Sequence, residues 1–431
     1  MTNSYSDIVL RTLFVDFNAY FASVEQQLRP ELRGLPVGVV PVMAETSSCI
    51  AASYEAKRFG IKTGTGVREA RRLCPNIAII QARPELYVQM HERAVALIDT
   101  IAPVRQVISI DEMACELTGR WREQNRAMTL AHRIKAAVRQ ELGECMRVSI
   151  GIAPNTLLGK LASDMQKPDG LTVIDPERIP EAFIHLPVSA FSGIGPRMTK
   201  RLAAAGITSM QALFDLPRDA LHRIWGGIGG DEMYDKIRGN WYEPRAVQTQ
   251  SIGHSHVLPP ELRSSDGAYQ VLMRLVQKAA MRLRKQGFYA TAMSVHVRCM
   301  KRSSDALQAL PRLACKQEAR FGESQDTAFF LHTLDTLWTR ILSSQVLGLA
   351  KPLSVGMVFY GLVPAAQHTP SLFDAPVPKG RASKAQLMRS MDNLNAKFGK
   401  NTLHYAVSHG AENRAPMRIA FTRIPDVQTE M

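Results

Sequence analysis

Two short apolar runs in this chain each end in acidic residues. Residues 12–15 (TLFV) lead directly into Asp16, and residues 107–110 (VISI) lead into the pair Asp111 and Glu112. Short apolar runs are typical of buried β-strands, so each run predicts a strand that delivers carboxylates to its end. The two groups lie far apart in the chain and can meet only if their strands are neighbours in one sheet.

Carboxylates gathered at one end of a sheet would repel each other unless cations lay between them. Oxygen ligands suit Mg²⁺, which takes few protein carboxylates and completes its shell with water and substrate phosphates. Two such ions about 4 Å apart activate an attacking hydroxyl and stabilise the leaving oxygen of a phosphoryl displacement. An acidic residue after a strand is also a common helix N-cap, and this structural alternative stays open for each group taken alone.

The charge of the chain points to a polyanionic partner. Its 431 residues suggest roughly three or four domains, and they include 53 Lys and Arg against 39 Asp and Glu, a formal net charge of +14. Nucleic acid is the leading candidate. The 6 cysteines are scattered without a CxxC pair, which argues against a zinc site or a disulfide framework. No apolar run approaches the roughly 20 residues of a membrane-spanning helix, and the first residues lack an export signal, so we expect a cytoplasmic protein without a membrane segment.

The periodicity divides the chain into regions. Strand and helix patterns mix through residues 8–175, as in an α+β or α/β catalytic domain. Residues 187–239 read as small and helical, and 240–250 as a linker that contains Pro244. Beyond the linker the pattern predicts two helices, at 269–286 and 327–342, and two strands, at 292–298 and 353–360. Two helices against a small sheet would form an independent α+β module.

Four ordered motifs resemble those of the Y-family translesion DNA polymerases. Residues 16–25 (DFNAYFASVE) resemble the first catalytic motif of that family, and residues 109–112 (SIDE) resemble the second. Residues 53–60 (SYEAKRFG) are similar to the fingers segment that grips the incoming triphosphate, and residues 162–170 (ASDMQKPDG) to the motif of the palm lysine. The order and spacing of the motifs fit the family along nearly the whole chain.

The resemblance implies a right-hand polymerase, a multi-domain α+β protein with palm, fingers, a small helical thumb and an α+β little finger. The implied domains, in chain order, are palm 1–30, fingers 31–85, palm 86–175, thumb 176–240, linker 241–250, little finger 251–362 and C-terminal tail 363–431. It also implies template-directed, error-prone DNA synthesis past damaged bases, without proofreading, in DNA repair and SOS mutagenesis.

The resemblance gives the acidic residues a metal-binding role. It makes Asp16, Asp111 and Glu112 the catalytic ligands of two Mg²⁺ ions, and the backbone carbonyl of Phe17 completes one of the two sites. Asn18 stands where some relatives have Asp, a difference that leaves the three ligands intact.

The same resemblance implies how the incoming deoxynucleoside triphosphate is held. Tyr54, Lys57 and Lys167 become its contacts, because cations offset the charge of the phosphates. Lys57 replaces the Arg of many relatives, so we expect a looser orientation of the triphosphate. Phe21 matches the steric gate, whose ring excludes a ribose 2′-hydroxyl. Without the family context, a core aromatic in the first helix is the simpler interpretation of Phe21.

Two further segments resemble DNA-binding parts of the family. Gly193 and Gly195, followed by Arg197, resemble a thumb helix-hairpin-helix whose backbone N–H groups hold a DNA phosphate without reading sequence. A Gly-x-Gly pair also serves an ordinary helix turn. In the little finger, one helix carries cations that predict a surface facing the phosphates of primer-template DNA, although some of them could merely solvate the helix: Arg274, Lys278, Arg282, Arg284 and Lys285.

The C-terminal tail resembles that of the UmuC-like polymerases, whereas the fingers and palm lysine motifs look closer to the DinB-like branch. Both branches stay open. Within the tail, Leu372 and Phe373 form an apolar pair suited to a pocket of the replication sliding clamp, with local packing of the pair as the alternative. Accessory mutagenesis proteins are a further partner that this resemblance implies.

Two rival functions use the same residues differently. A catalytically silent scaffold that recruits translesion factors would be expected to have lost metal ligands, yet all three are present. A nuclease shares the phosphoryl-transfer chemistry, but it would not explain a fingers motif or a steric gate.

Overall fold

The structure is a computed structural model that describes residues 8–243, 249–301, 312–344, 347, 350–369, 384–398, 402–406 and 424. The chain forms two compact units, the first made mainly of Met1–Val40 and Glu45–Arg245 and the second mainly of Ala246–Ile419. Each unit combines helices with β-sheet, which confirms the predicted multi-domain α+β fold. The finer division into palm, fingers and thumb stays a prediction.

The first unit contains eight strands and ten α-helices among its described residues. The strands are β1 (Thr12–Phe17), β2 (Val37–Val40), β3 (Ala51–Ala52), β4 (Ala78–Gln81), β5 (Val104–Val107), β6 (Glu112–Glu116), β7 (Val148–Ala153) and β8 (Leu171–Val173). The helices are α1 (Tyr20–Leu28), α2 (Tyr54–Lys57), α3 (Val67–Leu73), α4 (Pro84–Asp99), α5 (Gln124–Ala137), α6 (Thr156–Met165), α7 (Pro196–Ala204), α8 (Met210–Phe214), α9 (Arg218–Trp225) and α10 (Ile228–Ile237).

Five strands form one large sheet in the order β5–β6–β1–β7–β8. Strand β1 lies at its centre, antiparallel to both β6 and β7, and all six of its residues are buried. A strand covered on both faces needs a nearly continuous apolar run, which is why TLFV stands out in the sequence. The register places Asp16 directly opposite Glu112. The prediction that the two acidic segments are neighbours in one sheet is therefore confirmed.

The second acidic segment differs from its prediction in one respect. The prediction of a strand over 107–110 is wrong, because residues 108–111 form the turn between β5 and β6. Two N–H groups of this turn donate to the carbonyl of Glu112, at 2.9 and 3.2 Å, so the hairpin closes around Asp111. Ile110 is apolar because its side chain is buried under the turn, with 1% exposed, and not because it continues a strand.

Helix α6 packs directly on β7 through two glycines. A Cβ atom added to Gly151 would lie 2.0 Å from the carbonyl oxygen of Gly159 and 2.6 Å from the backbone nitrogen of Ser163, so position 151 has no room for a side chain. Asn155 caps the helix, since its Oδ1 accepts from the N–H of Leu158 at 3.0 Å. The helix therefore runs close beneath the sheet that carries Asp16.

A smaller sheet has its own core. Strand β2 pairs antiparallel with β3 and parallel with β4. Nine buried residues join these strands to α2 and α3: Val40, Cys49, Ala52, Ala56, Ile61, Val67, Ala70, Cys74 and Ile77. Ser53 begins α2 as its N-cap, because its side chain accepts from the N–H of Ala56 at 3.3 Å. This core gives the SYEAKRFG segment a fixed local structure.

Helices α7–α10 form a small helical region, as the sequence predicts. Its buried aromatic residues pack on one another, with ring centroids 5.6 Å apart for Phe183 and Phe191 and 5.4 Å apart for Phe183 and Phe214. The same cluster includes Leu158 and Leu161 of α6, so this region shares a core with the helix beneath the large sheet.

The second unit contains a four-stranded antiparallel sheet in the order β11–β10–β12–β9. Its strands are β9 (Ser251–Val257), β10 (Phe288–Lys301), β11 (Arg312–Ser324) and β12 (Ala350–Pro364), and its helices are α11 (Ser265–Lys285), α12 (Thr327–Ser343) and α13 (Lys384–Phe398). Apolar residues of one sheet face, such as Val295 and Met357, form a core with α11 and α12. The two predicted helices and two predicted strands are confirmed, whereas β9, β11 and α13 had no prediction.

The prediction of a phosphate-facing surface along α11 is wrong for three of its five cations. Arg274, Lys278 and Arg282 are each less than a tenth exposed. Arg282, for example, donates through Nη2 to the carbonyl of Gly253 at 2.8 Å. These cations lie on covered sides of the helix, where their long aliphatic stems contribute to packing.

The fourth cation of α11 holds the tail helix. Arg284 forms a two-pronged ion pair with Asp392 of α13, at 2.6 and 2.8 Å, and also donates to Thr327 Oγ1 at 2.9 Å. Met388 of α13 is buried, and the hydroxyl of Tyr405 donates to its sulfur at 3.0 Å. Residues 384–398 and 402–406 are thus a folded part of the second unit. No helix in the described part of the chain is long and apolar enough to cross a membrane.

Candidate active site

The predicted metal ligands lie together at one end of the large sheet. Asp16 is paired with Glu112 between β1 and β6, and the N–H of Phe17 donates to the carbonyl of Asp111 at 2.9 Å. Asp16 is 2% exposed, whereas the other two carboxylates are half-buried. Main-chain hydrogen bonds therefore fix the relative positions of the three acidic residues.

The electrostatics of Asp111 reflect this crowding. Burial, together with the charges of Asp16 and Glu112, raises the pKa of Asp111 to about 6, although a hydrogen bond from Ser109 Oγ at 2.5 Å opposes the shift. Desolvation and like charges both disfavour an ionised carboxylate, and a bound cation would remove that penalty.

Two lysines place their ammonium groups among these carboxylates. Lys160 Nζ lies 2.5 Å from Asp16 Oδ2 and 2.7 Å from Glu112 Oε1. Lys167 Nζ lies 2.7 Å from the same Asp16 oxygen and 2.8 Å from Asp164 Oδ1. The structure thus brings the predicted palm lysine, Lys167, to the first predicted metal ligand.

Lys160 and Asp164 are site residues that the sequence analysis missed. Lys160 and Asp164 are four residues apart in α6, and Lys167 follows three residues later in the turn after this helix; in the sequence, this spacing is typical of one side of a helix. Lys160 lies two residues before the ASDMQKPDG motif, and this alternation of charges along one helical face was the signal that could have revealed it.

The predicted triphosphate contacts on α2 interact electrostatically with the same acidic cluster. The ammonium of Lys57 lies 4.1 Å from the centre of the Tyr54 ring. Burial and the nearby charge of Lys167 lower the pKa of Lys57, while Asp16 opposes that shift. Burial and the charges of Asp16 and Asp164 raise the pKa of Tyr54 to about 12. The charges of the carboxylate cluster therefore influence the pKa of both side chains.

Phe21, the predicted steric gate, is the second residue of α1, five residues after Asp16. Its ring stacks on Tyr87 with centroids 4.8 Å apart, and only 3% of the residue is exposed. The Tyr87 hydroxyl in turn donates to Glu25 at 2.7 Å, and Glu25 also accepts two hydrogen bonds from Arg83. The ring is thus held in a packed aromatic position, and its role as a gate stays a prediction.

The amide of Asn18 joins three segments around the site. Its Oδ1 accepts from the N–H of Asp169 at 2.7 Å, and its Nδ2 donates to Ser149 Oγ at 2.9 Å. Asp169 lies two residues after Lys167. The buried amide therefore ties the lysine-bearing loop to the start of α1 and to β7.

The three carboxylates suit a Mg²⁺ site whose coordination shell is completed by water and substrate. Hard carboxylate oxygens are present, and Mg²⁺ keeps several waters or phosphate oxygens in its shell instead of taking a closed protein cage. Within the described ranges, no three His, Cys, Asp or Glu side chains are grouped in a way that could hold a metal ion, and the ammonium of Lys160 lies between Asp16 and Glu112. The assignment of Asp16, Asp111 and Glu112 as the ligands of these ions stays a prediction.

The predicted thumb residues lie at the exposed start of α7. Gly193 has a left-handed backbone (φ +94°), Gly195 is the N-cap, and Arg197 stands in the first turn. All three are exposed, and no side chain caps the helix. A helix N-terminus of this kind favours an anion.

The second unit exposes a polar sheet face opposite its helices. The register aligns His296 with Lys316. On the same face, Arg298 lies two residues from His296 on β10, and Arg320 lies four residues from Lys316 on β11, beyond Glu318. Burial and the charges of Arg298 and Lys316 lower the pKa of His296, as expected where positive charge accumulates. This face is a candidate surface for a polyanion. Leu372 and Phe373, the predicted clamp-binding pair, lie outside the described residues.

Comparisons with known proteins agree with this geometry. Residues 15–164 match the impB/mucB/samB family, and residues 249–372 match the C-terminal domain of the same family. DNA polymerase IV of Moorella thermoacetica is 34% identical over 403 residues, which cover 92% of this chain and 95% of that protein. DNA polymerase IV of Gluconobacter oxydans is 35% identical over 267 residues, 62% of this chain and 74% of that protein.

Solved structures share the fold. A Y-family DNA polymerase chimera of Dbh and Dpo4 aligns with a TM-score of 0.66 and 24% identity over 82% of this chain and 99% of that one. An insertion ternary complex of Dbh DNA polymerase aligns over the same shares with a TM-score of 0.52. With both family segments matched in order and one relative aligned along nearly its whole length, this chain belongs to the impB/mucB/samB family of Y-family translesion DNA polymerases.

Proposed function

We propose that this chain extends a primer 3′ end opposite template DNA, including damaged bases, by nucleotidyl transfer with two Mg²⁺ ions. The observation that carries the proposal is the pairing of Asp16 with Glu112 across β1 and β6. Next to this pair, the carbonyl of Asp111 accepts a hydrogen bond from the N–H of Phe17. The bound ions would lower the pKa of the primer hydroxyl and neutralise charge on the phosphates.

The chain's own residues supply binding and orientation. We assign Tyr54, Lys57 and Lys167 to the triphosphate. Lys167 contacts Asp16, Lys57 lies over the Tyr54 ring, and the charge of Asp16 acts on both Lys57 and Tyr54. Burial and the charge of Lys167 lower the pKa of Lys57, and a bound polyphosphate would oppose that shift because its negative charge favours the ammonium. Phe21 is the proposed gate against ribonucleotides.

Primer-template DNA is the proposed polyanionic partner. The exposed N-terminus of α7, with Gly193, Gly195 and Arg197, offers N–H groups and a cation to a phosphate. The cationic sheet face around His296 and Lys316 offers a second, sequence-independent contact. We assign the protein to damage tolerance and SOS mutagenesis in the cytoplasm, where such DNA is copied.

Primer extension with an Asp111→Asn variant tests the catalytic proposal. The variant keeps the shape of the side chain but removes a metal ligand, so extension should fall by at least about a thousandfold while DNA affinity stays within about twofold. Asp219→Asn removes an exposed carboxylate that pairs with Arg223 outside the site and should leave extension unchanged. Extension by the Asp111 variant at near wild-type rate would refute the metal assignment.

The same assay separates the rival functions. A silent scaffold would bind DNA without extending it in the wild-type protein. A nuclease would shorten the primer when Mg²⁺ is added without nucleotides. Either result with wild-type protein would replace the polymerase proposal.

We further propose that Leu372 and Phe373 bind a pocket of the replication sliding clamp. Burying both side chains would contribute roughly 3 to 6 kcal/mol before the costs of association. The double change to Ala should weaken clamp affinity, measured by fluorescence polarisation, and abolish stimulation by the clamp while basal extension continues. Equal affinity for the wild type and the double variant would place recruitment elsewhere. Accessory mutagenesis proteins remain proposed partners, and both the UmuC-like and DinB-like branches stay open.

A further inference from the structure

Lys160 bridges two of the acidic residues assigned to metal binding. Its Nζ lies 2.5 Å from Asp16 Oδ2 and 2.7 Å from Glu112 Oε1, and it lies 3.2 Å from Asp164. Asp16 and Glu112 belong to different strands, so a single ammonium group contacts carboxylates that face each other across β1 and β6. Lys167 contacts Asp16 and Asp164, which distinguishes the two lysines.

The surroundings keep Lys160 charged. Burial by itself lowers the pKa of this lysine, but the charges of Asp16, Asp164 and Glu112 outweigh burial and raise it above its ordinary value. About a fifth of the side chain is exposed. The ammonium is therefore a permanent positive charge between two carboxylates, in a partly desolvated place where Coulomb interactions are strong.

A divalent ion would compete for the same oxygens. Mg²⁺ binds carboxylate oxygens at about 2.0 to 2.1 Å, and an ammonium that kept both of its present contacts would then stand next to a doubly charged ion. Like charges at such short range repel strongly. The lysine must therefore give up at least one of its two contacts when an ion enters.

We propose that Lys160 is a resident counter-cation, which holds Asp16 and Glu112 together in the metal-free enzyme and yields that place to a divalent ion. This inference rests on the proposed metal-binding role of Asp16 and Glu112. Lys160 acts as a positioning residue: it prevents repulsion from separating the carboxylates. It also weakens ion binding in the absence of nucleotide, so that the phosphates of the incoming triphosphate are needed for firm binding.

The test measures Mn²⁺ affinity by electron paramagnetic resonance at pH 8, on the full chain without nucleotide or DNA. Lys160→Met removes the charge and keeps much of the side-chain length, so Mn²⁺ should bind at least about tenfold more tightly than to wild type. Lys160→Arg keeps the charge and should bind Mn²⁺ with wild-type affinity. Lys135→Met is the matched control, because Lys135 is also half-buried but contacts Asp169, at 2.6 Å, and main-chain carbonyls. Its Mn²⁺ affinity should equal that of wild type.

Two results would overturn the inference. Unchanged or weaker Mn²⁺ binding by Lys160→Met would show that the lysine does not compete with the ion. An equal gain in Lys160→Arg would show that side-chain shape, not charge, controls binding. Asp16→Asn separates this failure from that of the proposed function: if it binds Mn²⁺ as wild type does, the metal site itself is wrongly assigned.

Thermal unfolding provides a second measurement that does not require equal stability of the variants. Without metal, Lys160→Met leaves Asp16 facing Glu112 with one cation fewer and should melt earlier than wild type. Saturating Mn²⁺ should then raise its melting temperature by more than it raises that of wild type. A smaller rise than in wild type would contradict a competing counter-cation.

Discussion

Replacing Asp111 by Asn should stabilise the metal-free protein while abolishing its activity. The carboxyl group of Asp111 has its pKa raised from an ordinary value of 3.8 to about 6, first by burial and then by Asp16 and Glu112. A carboxyl whose folded pKa is raised destabilises the fold when it ionises. Its cost is absent below pH 3.8, grows as the pH rises through the interval to about 6, and is complete above it.

The magnitude follows from the size of this interval. At about 1.4 kcal/mol for each pKa unit, the shift corresponds to about 3 kcal/mol of lost stability at pH 8. At pH 5 the same two pKa values give about half of that loss, because the folded state is then still mostly protonated. Asn is neutral at every pH and can keep the hydrogen bond from Ser109. We therefore expect Asp111→Asn to exceed wild type by up to about 3 kcal/mol at pH 8 and by up to about half as much at pH 5.

The assay is chemical denaturation at both pH values, in the presence of a chelator, with the transition of the first unit followed separately from that of the second. The control is Asp219→Asn, which removes an exposed carboxylate paired with Arg223 and should not gain stability as the pH rises. A variant that is less stable than wild type at pH 8 would refute the reasoning. A gain of equal size at pH 5 and pH 8 would also contradict it, since the origin would then not be the ionisation of Asp111.

Three further changes test other parts of the structure. Phe21→Ala should raise the ratio of ribo- to deoxynucleotide incorporation at least about tenfold in single-turnover assays. An unchanged ratio, together with lower stability because the stack on Tyr87 is lost, would show that Phe21 is only a core residue. Asn18→Ala leaves the N–H of Asp169 without an acceptor, so it should lower the free energy of unfolding by about 1 to 3 kcal/mol and raise KM for the triphosphate. A KM equal to that of wild type would show that the amide does not position the loop that carries Lys167. Asp392→Asn removes the ion pair with Arg284 and should increase amide hydrogen exchange in α13, while the rate of primer extension stays within about twofold of wild type. Exchange rates equal to those of wild type would show that apolar contacts alone hold the helix.

Several central strands were predictable, whereas the edge strands of the second unit were not. Strands β1, β10 and β12 have neighbours on both sides, and their runs or alternations of apolar residues follow from burial. Strands β9 and β11 are the two edges of their sheet and have one solvated face. In β11 the residues read RLACKQEARFGES, with charged side chains along the open face, so local hydrophobicity gives little indication of a strand.

The candidate site was predictable where backbone pairing determines it. The carboxylates of Asp16 and Glu112 meet because their strands pair. The apolar run before Asp16 indicated its strand, whereas the strand of Glu112 begins at that residue and follows a turn. The contact of Lys160 depends on how closely α6 approaches the sheet, which is a tertiary distance that no local pattern contains. The burial of the α11 cations is similar: a Lys or Arg at helical spacing has the same sequence pattern whether it faces solvent or a neighbouring segment.

The glycine contact between β7 and α6 sets how far the side chain of Lys160 in that helix must reach. Because the carbonyl of Gly159 would lie 2.0 Å from a Cβ atom at position 151, even a methyl group there must move the helix away from the sheet. The reach of a lysine side chain is limited, and the contacts of Lys160 with Asp16 and Glu112 are short on both sides. The charge balance among the acidic residues therefore depends on a spacing between two stretches of main chain. Position 151 has no chemical group to contribute, yet its freedom to vary is as restricted as that of a residue that touches the reacting atoms.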